Sequence, residues 1–277
     1  MRPSEVLRLA TTYLERHGVD SPRVTAEVLM ESVLETDRAG LYTRTEGLSA
    51  GEARAFGRAL CRRCTGVPVQ HLTGRAHFRR LELRVEPGVF VPRPETEVLV
   101  DVALEALAGI DAPVVVDAGT GTGAVALALK DERPAAVVYA TDLGPRAVAL
   151  ARENARRLDL EVTVLEGDLL TPLPQELAGR LDAVLSNPPY VAEEEFADLP
   201  AEVLADPELA LLGGTTVHSR LVRESRAWLR LVGLLAMEIG SSQGTEVRSL
   251  IEDGFRDVRV VPDLAGRDRV VAGRLDG

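Results

Sequence analysis

The chain has 277 residues, of which 45% are hydrophobic, so it can form one large or two ordinary domains with a sizeable core. No apolar run approaches the roughly 20 residues of a bilayer-spanning helix, and no apolar signal core follows the N-terminus, so we expect a cytoplasmic protein without membrane contact. The net charge of −11 combines +4 in residues 1–80 with −15 in the remainder. The acidic remainder argues against direct nucleic-acid binding, which needs a basic surface.

Residues 1–75 have the apolar spacing of a small helical bundle. Apolar side chains recur at helical intervals over residues 4–17, and Pro22 stands where a second helix begins. Ser49 and Glu52 form the pattern of a capping box at the start of a further helix. The positive charge of this region suits an acidic protein partner, but it is also within ordinary variation.

The only two cysteines raise the question of a zinc site. Cys61 and Cys64 precede His71 and His77 in a C-x2-C-x6-H-x5-H pattern. The gap between the two pairs is much shorter than in zinc fingers, and the cysteines fall within a helical pattern. Two reduced thiols are therefore the better interpretation, and we expect no metal.

A segment rich in turn formers, residues 66–74, follows the helical region. The short β-like runs 76–78 and 81–85 come next and predict a β-hairpin between two domains. A helix then opens near Pro94, with acidic residues in its first turn, and extends to about residue 108. We therefore expect three parts: a helical domain 1–75, a hairpin linker 76–92 and a catalytic domain 93–277.

From residue 113 onward, strand-like and helix-like segments alternate, which predicts an α/β fold with a parallel sheet and helices on both faces. The predicted strands are 114–117, 136–141, 162–165, 181–185 and 234–239. The predicted helices are 124–131, 145–158, 217–231 and 243–253. Two further β-like runs, 255–261 and 269–274, are joined by a short loop, so we expect them to pair as an antiparallel C-terminal hairpin.

A glycine-rich turn follows the first of these strands and reads Gly119-Thr120-Gly121-Thr122-Gly123. Glycines let the backbone turn tightly and approach a ligand, although this G-x-G-x-G spacing is not that of dinucleotide sites. A turn of this kind is a weak signal by itself.

Two acidic residues strengthen the prediction of a nucleotide-like ligand. Asp142 ends the second strand, where this class of fold places an acid on ribose hydroxyls; alternatively it caps the helix that begins near Pro145. Asp168 follows the third strand and could bind the exocyclic amine of adenine, with Leu169 beside the ring. The alternative for Asp168 is an Asx-turn within its own loop.

The most informative motif is Asn187-Pro188-Pro189-Tyr190, which follows the fourth strand. Each proline fixes its own φ and keeps the preceding residue extended, so the loop is stiff. The Asn187 side chain and the Pro188 carbonyl then offer hydrogen-bond acceptors to a planar –NH2 group. This geometry suits an enzyme that alkylates a weakly nucleophilic amide or aromatic amine, although a plain Pro-Pro turn is the simpler alternative.

These features together resemble the class I S-adenosylmethionine-dependent methyltransferases, and more specifically the PrmC/HemK family of release factor glutamine methyltransferases. The resemblance covers nearly the whole chain. After a helical region come the Gly-x-Pro-x-Gln-x-Leu-x-Gly pattern of 66–74, the Phe-Val-Pro-Arg-Pro-Glu-Thr-Glu segment 90–97, the glycine turn 117–123 and the motif 187–190. The proline-rich segment is more discriminating than the glycine turn, whereas Asn-Pro-Pro-Tyr also occurs in adenine methyltransferases.

The resemblance implies S-adenosylmethionine as the cofactor, lying over residues 119–123 with Asp142 on its ribose and Asn187 nearby. It implies that the substrate is the glutamine of the Gly-Gly-Gln motif in peptide chain release factors. Phe90 would line the glutamine pocket together with the motif 187–190, and the helical domain would contact the release factor. Leu169 departs from the aromatic residue that members often have there, which weakens adenine stacking. We expect a monomer.

The chemistry expected of the motif is methyl transfer to nitrogen. The two N–H groups of the glutamine amide would donate to the Asn187 side-chain oxygen and the Pro188 carbonyl, which stabilises positive charge developing on nitrogen. Tyr190 and Phe90 would enclose the amide plane, although core packing is the usual role of an isolated aromatic residue. The sequence leaves open another protein glutamine, for example in a ribosomal protein, an adenine amine in nucleic acid, or a noncatalytic nucleotide-binding module.

Overall fold

The computed structural model describes all 277 residues, and contacts divide the chain into two units. The first unit comprises residues 1–75 together with 199–205, and the second comprises 76–198 together with 206–277. The short segment 199–205 thus belongs with the N-terminal helices although it lies far along the chain. No helix in either unit is both long enough and apolar enough to cross a membrane.

The first unit is helical, as the apolar spacing predicts. Its helices are α1 Pro3–Arg16, α2 Pro22–Leu34, α3 Arg38–Thr43, α4 Ala50–Cys64 and α5 Val69–Thr73. Apolar side chains from the first four helices form one buried cluster that includes Leu14, Leu29 and Phe56. The Ser49–Glu52 capping box is confirmed, because each side chain bonds the other residue's backbone N–H. Helix α5 differs from the prediction, because it occupies part of a segment that was expected to form turns.

The second unit contains a two-stranded hairpin and a seven-stranded sheet. The hairpin strands are β1 Arg75–Phe78 and β2 Leu81–Arg84. The sheet strands are β3 Val114–Ala118, β4 Val137–Asp142, β5 Val162–Glu166, β6 Leu181–Ser186, β7 Leu229–Glu238, β8 Phe255–Pro262 and β9 Asp268–Leu275. Their order across the sheet is β5-β4-β3-β6-β7-β9-β8. The first five pair in parallel and the last two pair antiparallel, which confirms the predicted mixed sheet and C-terminal hairpin.

Helices cover both faces of this sheet because the central strands alternate their side chains between two cores. Val115 of β3 packs in one core and Val116 in the other, as the period of two in a strand requires. A single 3₁₀ turn, Pro94–Thr96, leads into α6. The helices are α6 Glu97–Ala106, α7 Ala124–Glu132, α8 Pro145–Arg157, α9 Glu193–Phe196, α10 Glu208–Leu211, α11 Thr216–Trp228 and α12 Gly244–Glu252.

Strand β7 begins earlier than the sequence predicts. A helix over 217–231 and a strand from 234 were expected, but the helix ends at Trp228 and the strand starts at Leu229. The register with β6 shifts between Leu181 and Ala183, and Val232 has a φ of 64°, a conformation that a β-branched residue rarely adopts. An irregularity of this kind interrupts the apolar alternation from which strand ends are predicted.

Candidate active site

The loops that carry the predicted site residues leave one edge of the sheet. They follow β3, β4, β5 and β6, which are parallel, so their carboxyl ends point the same way. Ala118 at the end of β3 pairs with Thr141 of β4 and Ser186 of β6. The glycine-rich turn and the Asn187 loop are therefore immediate neighbours, at the edge where open α/β sheets bind ligands.

The glycine-rich turn forms an open cradle. Gly119 and Gly121 have φ values of 77° and 56°, in the left-handed region that favours glycine. A Cβ added at either of these positions would meet no atom within 4 Å, whereas one at Gly123 would lie 3.0 Å from Leu127. Gly123 thus permits close helix packing. The two earlier glycines keep a stretch of backbone open, which fits a nucleoside-containing cofactor such as S-adenosylmethionine.

Asp117 supports this turn from within the fold. Its buried carboxylate accepts hydrogen bonds from the Thr120 hydroxyl at 2.6 Å and from the Ala126 N–H at 3.2 Å. Burial raises the pKa of Asp117 to about 6, and the two hydrogen bonds oppose this rise. The side chain of Thr120 is therefore committed to the turn. Asp117 was missed as a functional residue, although its place directly before the turn was a usable signal.

Asp142 joins the glycine-rich turn to the loop after β4. One carboxylate oxygen accepts from the Gly121 N–H and the other from the Gly144 N–H, both at 2.8 Å. Helix α8 has Gly144 at its N-cap and no side-chain cap, so Asp142 does not take the helix-capping role that was the alternative. Burial raises the pKa of Asp142. Its contact with ribose hydroxyls stays a prediction.

Asp168 is held by an arginine from another element. Its carboxylate oxygen lies 2.8 Å from Nη2 of Arg220, which belongs to α11. The next residue, Leu169, has a φ of 46°, a left-handed conformation that is strained for leucine. Arg220 was not predicted, since nothing in its helical context marks it. An adenine amine at Asp168 would share this carboxylate with the Arg220 guanidinium.

The orientation of the Asn187 side chain is set by a threonine from the proline-rich segment. Nδ2 of Asn187 donates to Oγ1 of Thr96 at 3.2 Å, so Oδ1 is the atom left to accept from a ligand. Thr96 is 4% exposed and ends the 3₁₀ turn that precedes α6. The Ser186 hydroxyl donates to the Ala118 carbonyl at 2.7 Å and ties the strand before Asn187 to β3.

The rest of the Asn-Pro-Pro-Tyr loop is pinned by contacts to its backbone. Gln243 donates from Nε2 to the Tyr190 carbonyl at 2.9 Å and accepts the Gly240 N–H at 2.9 Å. Gly213 lies so close that an added Cβ would stand 2.2 Å from the Pro189 carbonyl oxygen. The loop is therefore rigid because of its neighbours as well as its prolines.

Tyr190, which is partly buried, lies next to the buried carboxyl group of Glu238. The Tyr190 hydroxyl lies 3.5 Å from Oε1 of Glu238, a long donor distance, and Glu238 is 2% exposed at the end of β7. Burial raises the pKa of Glu238 to about 7; hydrogen bonds from Thr96 and Tyr190 and the charge of Arg269 oppose that rise. Burial also raises the pKa of Tyr190 to about 12, so its hydroxyl keeps its proton.

Phe90 lies in a second cluster, with Arg93 and Asp206. The Arg93 guanidinium stands 5.5 Å from the centre of the Phe90 ring, within cation–π range. Asp206 is buried and accepts from the Val91 N–H at 3.1 Å and from Arg93 at 2.5 Å. Arg93 thus braces the Phe90 segment. Asp206 belongs to the acidic, proline-containing stretch 203–211, which resembles a loop of the family.

The cysteine and histidine pattern does not assemble into a metal site. No group of three or more His, Cys, Asp or Glu side chains is placed to hold a metal ion. Cys61 is exposed and Cys64 is partly buried, and both are free thiols. Burial raises the pKa of the Cys64 thiol, which disfavours the thiolate that metals bind.

Both parts of the chain match known protein families. Residues 5–74 match the family described as PrmC N-terminal domain, and residues 80–212 match the methyltransferase small domain. The release factor glutamine methyltransferase of Moorella thermoacetica is 42% identical over 96% of this chain and 95% of its own length. The protein of the same name from Deinococcus radiodurans is 41% identical over the full length of both chains.

Solved structures share the fold at lower sequence identity. A methyltransferase from Pyrococcus furiosus aligns with a TM-score of 0.52 and 17% identity, covering 71% of this chain and 89% of that one. A 16S rRNA methyltransferase from T. thermophilus, solved with AdoMet and guanosine, aligns with a TM-score of 0.54 and 20% identity. That alignment covers 73% of this chain and 49% of the other. The shared feature is the methyltransferase sheet with its helices.

Proposed function

We propose that this chain, which belongs to the release factor glutamine methyltransferase family, methylates the side-chain amide nitrogen of the glutamine in the Gly-Gly-Gln motif of peptide chain release factors. The methyl donor is S-adenosylmethionine. One observation carries the proposal: Nδ2 of Asn187 donates to the Thr96 hydroxyl oxygen, which leaves Oδ1 as an acceptor beside the glycine-rich turn. An acceptor so placed recognises the N–H groups of a primary amide.

The cofactor is assigned to the residues at this sheet edge. In this assignment the open backbone of Gly119 and Gly121 lies against the cofactor, and Asp142 binds the ribose hydroxyls of the cofactor. Asp168 and Leu169 flank the adenine. When bound, S-adenosylmethionine supplies an electrophilic methyl group on a positively charged sulfur.

The contribution of the Asn187 loop is to hold and polarise the substrate amide. The amide nitrogen is a weak nucleophile because its lone pair is delocalised into the carbonyl. Its two N–H groups donate to Oδ1 of Asn187 and to the Pro188 carbonyl, which favours a nitrogen whose lone pair faces the methyl group. In the transfer the methyl–sulfur bond would break with its electron pair left on sulfur, and the methylated nitrogen would give up one proton to solvent. The two acceptors stabilise the positive charge that develops on nitrogen.

Two aromatic side chains and a proline complete the proposed pocket. Tyr190, Pro189 and Phe90 enclose the amide plane and exclude water. Arg93 and Asp206 hold Phe90, and Gln243 holds the Tyr190 backbone. Positioning of this kind contributes several kcal/mol to catalysis without a metal or a covalent nucleophile.

The helical domain, residues 1–75, is assigned to recognition of the release factor. Its 11 arginines and nine acidic residues give it a small positive charge, opposite to that of the catalytic part. A cytoplasmic, monomeric enzyme without direct nucleic-acid contact agrees with this assignment, since the substrate is a soluble translation factor.

The direct test is to incubate the purified chain with S-adenosylmethionine and a purified release factor and to map the product by tandem mass spectrometry. The expected result is one added methyl group on the glutamine of the Gly-Gly-Gln peptide. A release factor whose glutamine is replaced by alanine is the control and should gain nothing. Methylation of a ribosomal protein or of adenine in RNA, with an untouched release factor, would contradict the proposal and favour one of the alternatives.

A further inference from the structure

The loop after β5 holds Asp168 in a tightly folded backbone. Leu169 has a φ of 46°, a left-handed conformation that is strained for leucine. A Cβ added at Gly167 would stand 2.8 Å from Cβ of Pro172, so a side chain at that position would collide with the proline ring. Backbone strain concentrates at ligand sites, where the surrounding structure maintains it. This loop is therefore a candidate for direct contact with a ligand.

The backbone of Asp168 is fixed relative to Asp142, the residue assigned to the ribose. The Gly167 N–H donates to the Asp142 carbonyl at 2.9 Å. The Asp168 carbonyl accepts from the Thr171 N–H at 3.0 Å and from the Thr171 hydroxyl at 2.6 Å. The Asp168 side chain makes no hydrogen bond within its own loop, so the Asx-turn that was the alternative does not form. Only the direction of the carboxylate remains to be fixed.

Arg220 of α11 fixes that direction. Its Nη2 lies 2.8 Å from Oδ2 of Asp168 and 3.1 Å from Oε1 of Glu224, which stands one turn further along the same helix. The Glu224 carboxylate therefore anchors the guanidinium, and its Oε2 is buried without a hydrogen-bond partner. No hydrogen bond engages Oδ1 of Asp168, whose side chain is 44% exposed. One carboxylate oxygen of Asp168 is thus held by the protein, and the other is left to accept from a ligand.

From this geometry we propose that Arg220 is a positioning residue for the cofactor, which turns Asp168 so that its Oδ1 accepts the exocyclic amine of adenine. The inference rests on the proposed function in one respect, the assignment of Asp168 to the adenine. An exposed carboxylate has several rotamers, and one that an arginine already holds loses less conformational freedom when it binds the amine. Leu169 offers no aromatic face for stacking on the adenine ring, so recognition of the base depends more on the contact at its edge.

The test compares two ligands that differ by this one amine. The first is S-adenosylhomocysteine, and the second is its analogue with unsubstituted purine in place of adenine. Neither ligand carries a transferable methyl group, so binding to the full-length chain is measured by calorimetry without a release factor. The ratio of the two Kd values reports how much the protein prefers the amine.

The wild type should bind S-adenosylhomocysteine about tenfold more tightly than the purine analogue, because only the former donates to the Asp168 carboxylate. Arg220→Met keeps the apolar stem but removes the guanidinium, and it should lower this preference to about threefold or less. Asp168→Ala should abolish the preference. The matched control is Arg226→Met on the same helix, which removes an exposed ion pair with Asp253 and should keep the preference of the wild type.

The ratio separates positioning from general support of the fold. Damage to the fold weakens binding of both ligands alike and leaves the ratio unchanged. If Arg220→Met does not fold, Glu224→Gln is the second variant, because it weakens the anchor of the guanidinium. That variant should also lower the preference for the amine.

Kinetics supply the second readout. In Arg220→Met the KM for S-adenosylmethionine should rise about threefold, while kcat and the KM for the release factor stay unchanged. A lower kcat with an unchanged KM for S-adenosylmethionine would overturn the proposal, since Arg220 would then act on the methyl transfer itself.

The possible failures are distinguishable. If the wild type binds the two ligands equally, both the adenine role of Asp168 and the positioning role of Arg220 are wrong. If the wild type prefers the amine and Arg220→Met keeps or increases that preference, Arg220 only joins α11 to the loop or competes for the carboxylate, and the positioning role is wrong. Absence of release factor methylation would overturn the proposed function and leave these binding measurements standing.

Discussion

Several contacts fix the orientation of the Asn187 side chain. Two prolines stiffen the backbone after it, Ser186 fixes the strand before it, and Thr96 engages its –NH2 group. Each hydrogen bond among these constraints is weak by itself and contributes about 1 kcal/mol. Together they leave one oxygen to accept from a ligand.

Replacing Asn187 tests this at the level of one side chain. Asn187→Ala should lower kcat for release factor methylation by about 10²- to 10³-fold, because an acceptor for the developing charge is removed. Affinity for S-adenosylmethionine, measured by calorimetry, should stay close to that of the wild type. Turnover equal to that of the wild type would remove the amide-holding role of this residue.

Burial of Glu238 should make the free energy of unfolding depend on pH. Its pKa in the folded chain is about 7, above the 4.5 of an unperturbed glutamate. Ionisation therefore disfavours the folded state, and stability falls as pH rises from about 4.5 to about 7. Glu238→Gln should raise the free energy of unfolding at pH 8 by about 1 to 3 kcal/mol.

Denaturant titrations of both proteins at several pH values measure this difference, which should shrink toward pH 5. A variant that is more stable yet slower is the pattern of a buried charge kept for activity. If the variant is less stable than the wild type at pH 8, Glu238 is a structural residue and not a strained one.

Among the elements, helix α8 holds the glycine-rich turn through one buried side chain. Asn154 is fully buried and donates to the carbonyls of Arg84 and Thr122 at 3.0 Å, and it accepts the Arg84 N–H at 2.8 Å. This carboxamide thus connects strand β2, helix α8 and the cofactor turn.

Asn154→Leu should lower the free energy of unfolding by about 2 to 4 kcal/mol, because one buried and two partly buried backbone groups lose their partner. Binding of S-adenosylmethionine should weaken as well, since the turn loses its support. The matched control is Glu153→Gln, which alters a partly exposed ion pair with Arg84 and should change stability by less than about 1 kcal/mol. Equal effects of the two substitutions would contradict the role of Asn154.

The segment that bears Phe90 depends on the loop containing Asp206. Asp206→Asn keeps the shape of the side chain but removes the charge that holds Arg93 over the Phe90 ring. The expected result is a higher KM for the release factor with unchanged affinity for S-adenosylmethionine. Glu105→Gln, at the exposed Arg259 ion pair, makes the same chemical change far from the site and is the control. A loss of cofactor affinity in Asp206→Asn would instead assign the pair to the cofactor site.

At the scale of the whole molecule, motifs made of adjacent residues can be predicted from the sequence. Contacts between residues that lie far apart in the chain cannot. The glycine-rich turn and the Asn187 motif are runs of adjacent residues at strand ends, so their position at one sheet edge follows from the alternation of strands and helices. Asn187 and Thr96, by contrast, are 91 residues apart, Arg93 and Asp206 are 113 apart, and Asp168 and Arg220 are 52 apart.

The missed partners carry no local signal because their roles depend on tertiary contacts. Thr96 looks like an ordinary residue of a helix start. For Arg93, Glu95 and Glu238 the sequence alone leaves open whether they are functional or structural. The shift in register in β7 has the same origin, since a bulge has no periodic signature. Fold class and core motifs were therefore predictable, whereas the residues that orient the motif were not.

The most direct test of the whole account is a crystal structure of the chain with S-adenosylmethionine bound. In a productive arrangement the methyl carbon lies about 3 to 3.5 Å from the substrate nitrogen, and that nitrogen lies about 3 Å from its acceptor. We therefore predict the methyl carbon within about 6 Å of Oδ1 of Asn187, with the cofactor lying over Gly119 and Gly121. A methyl group well beyond that distance, or a cofactor bound away from the glycine-rich turn, would contradict the account.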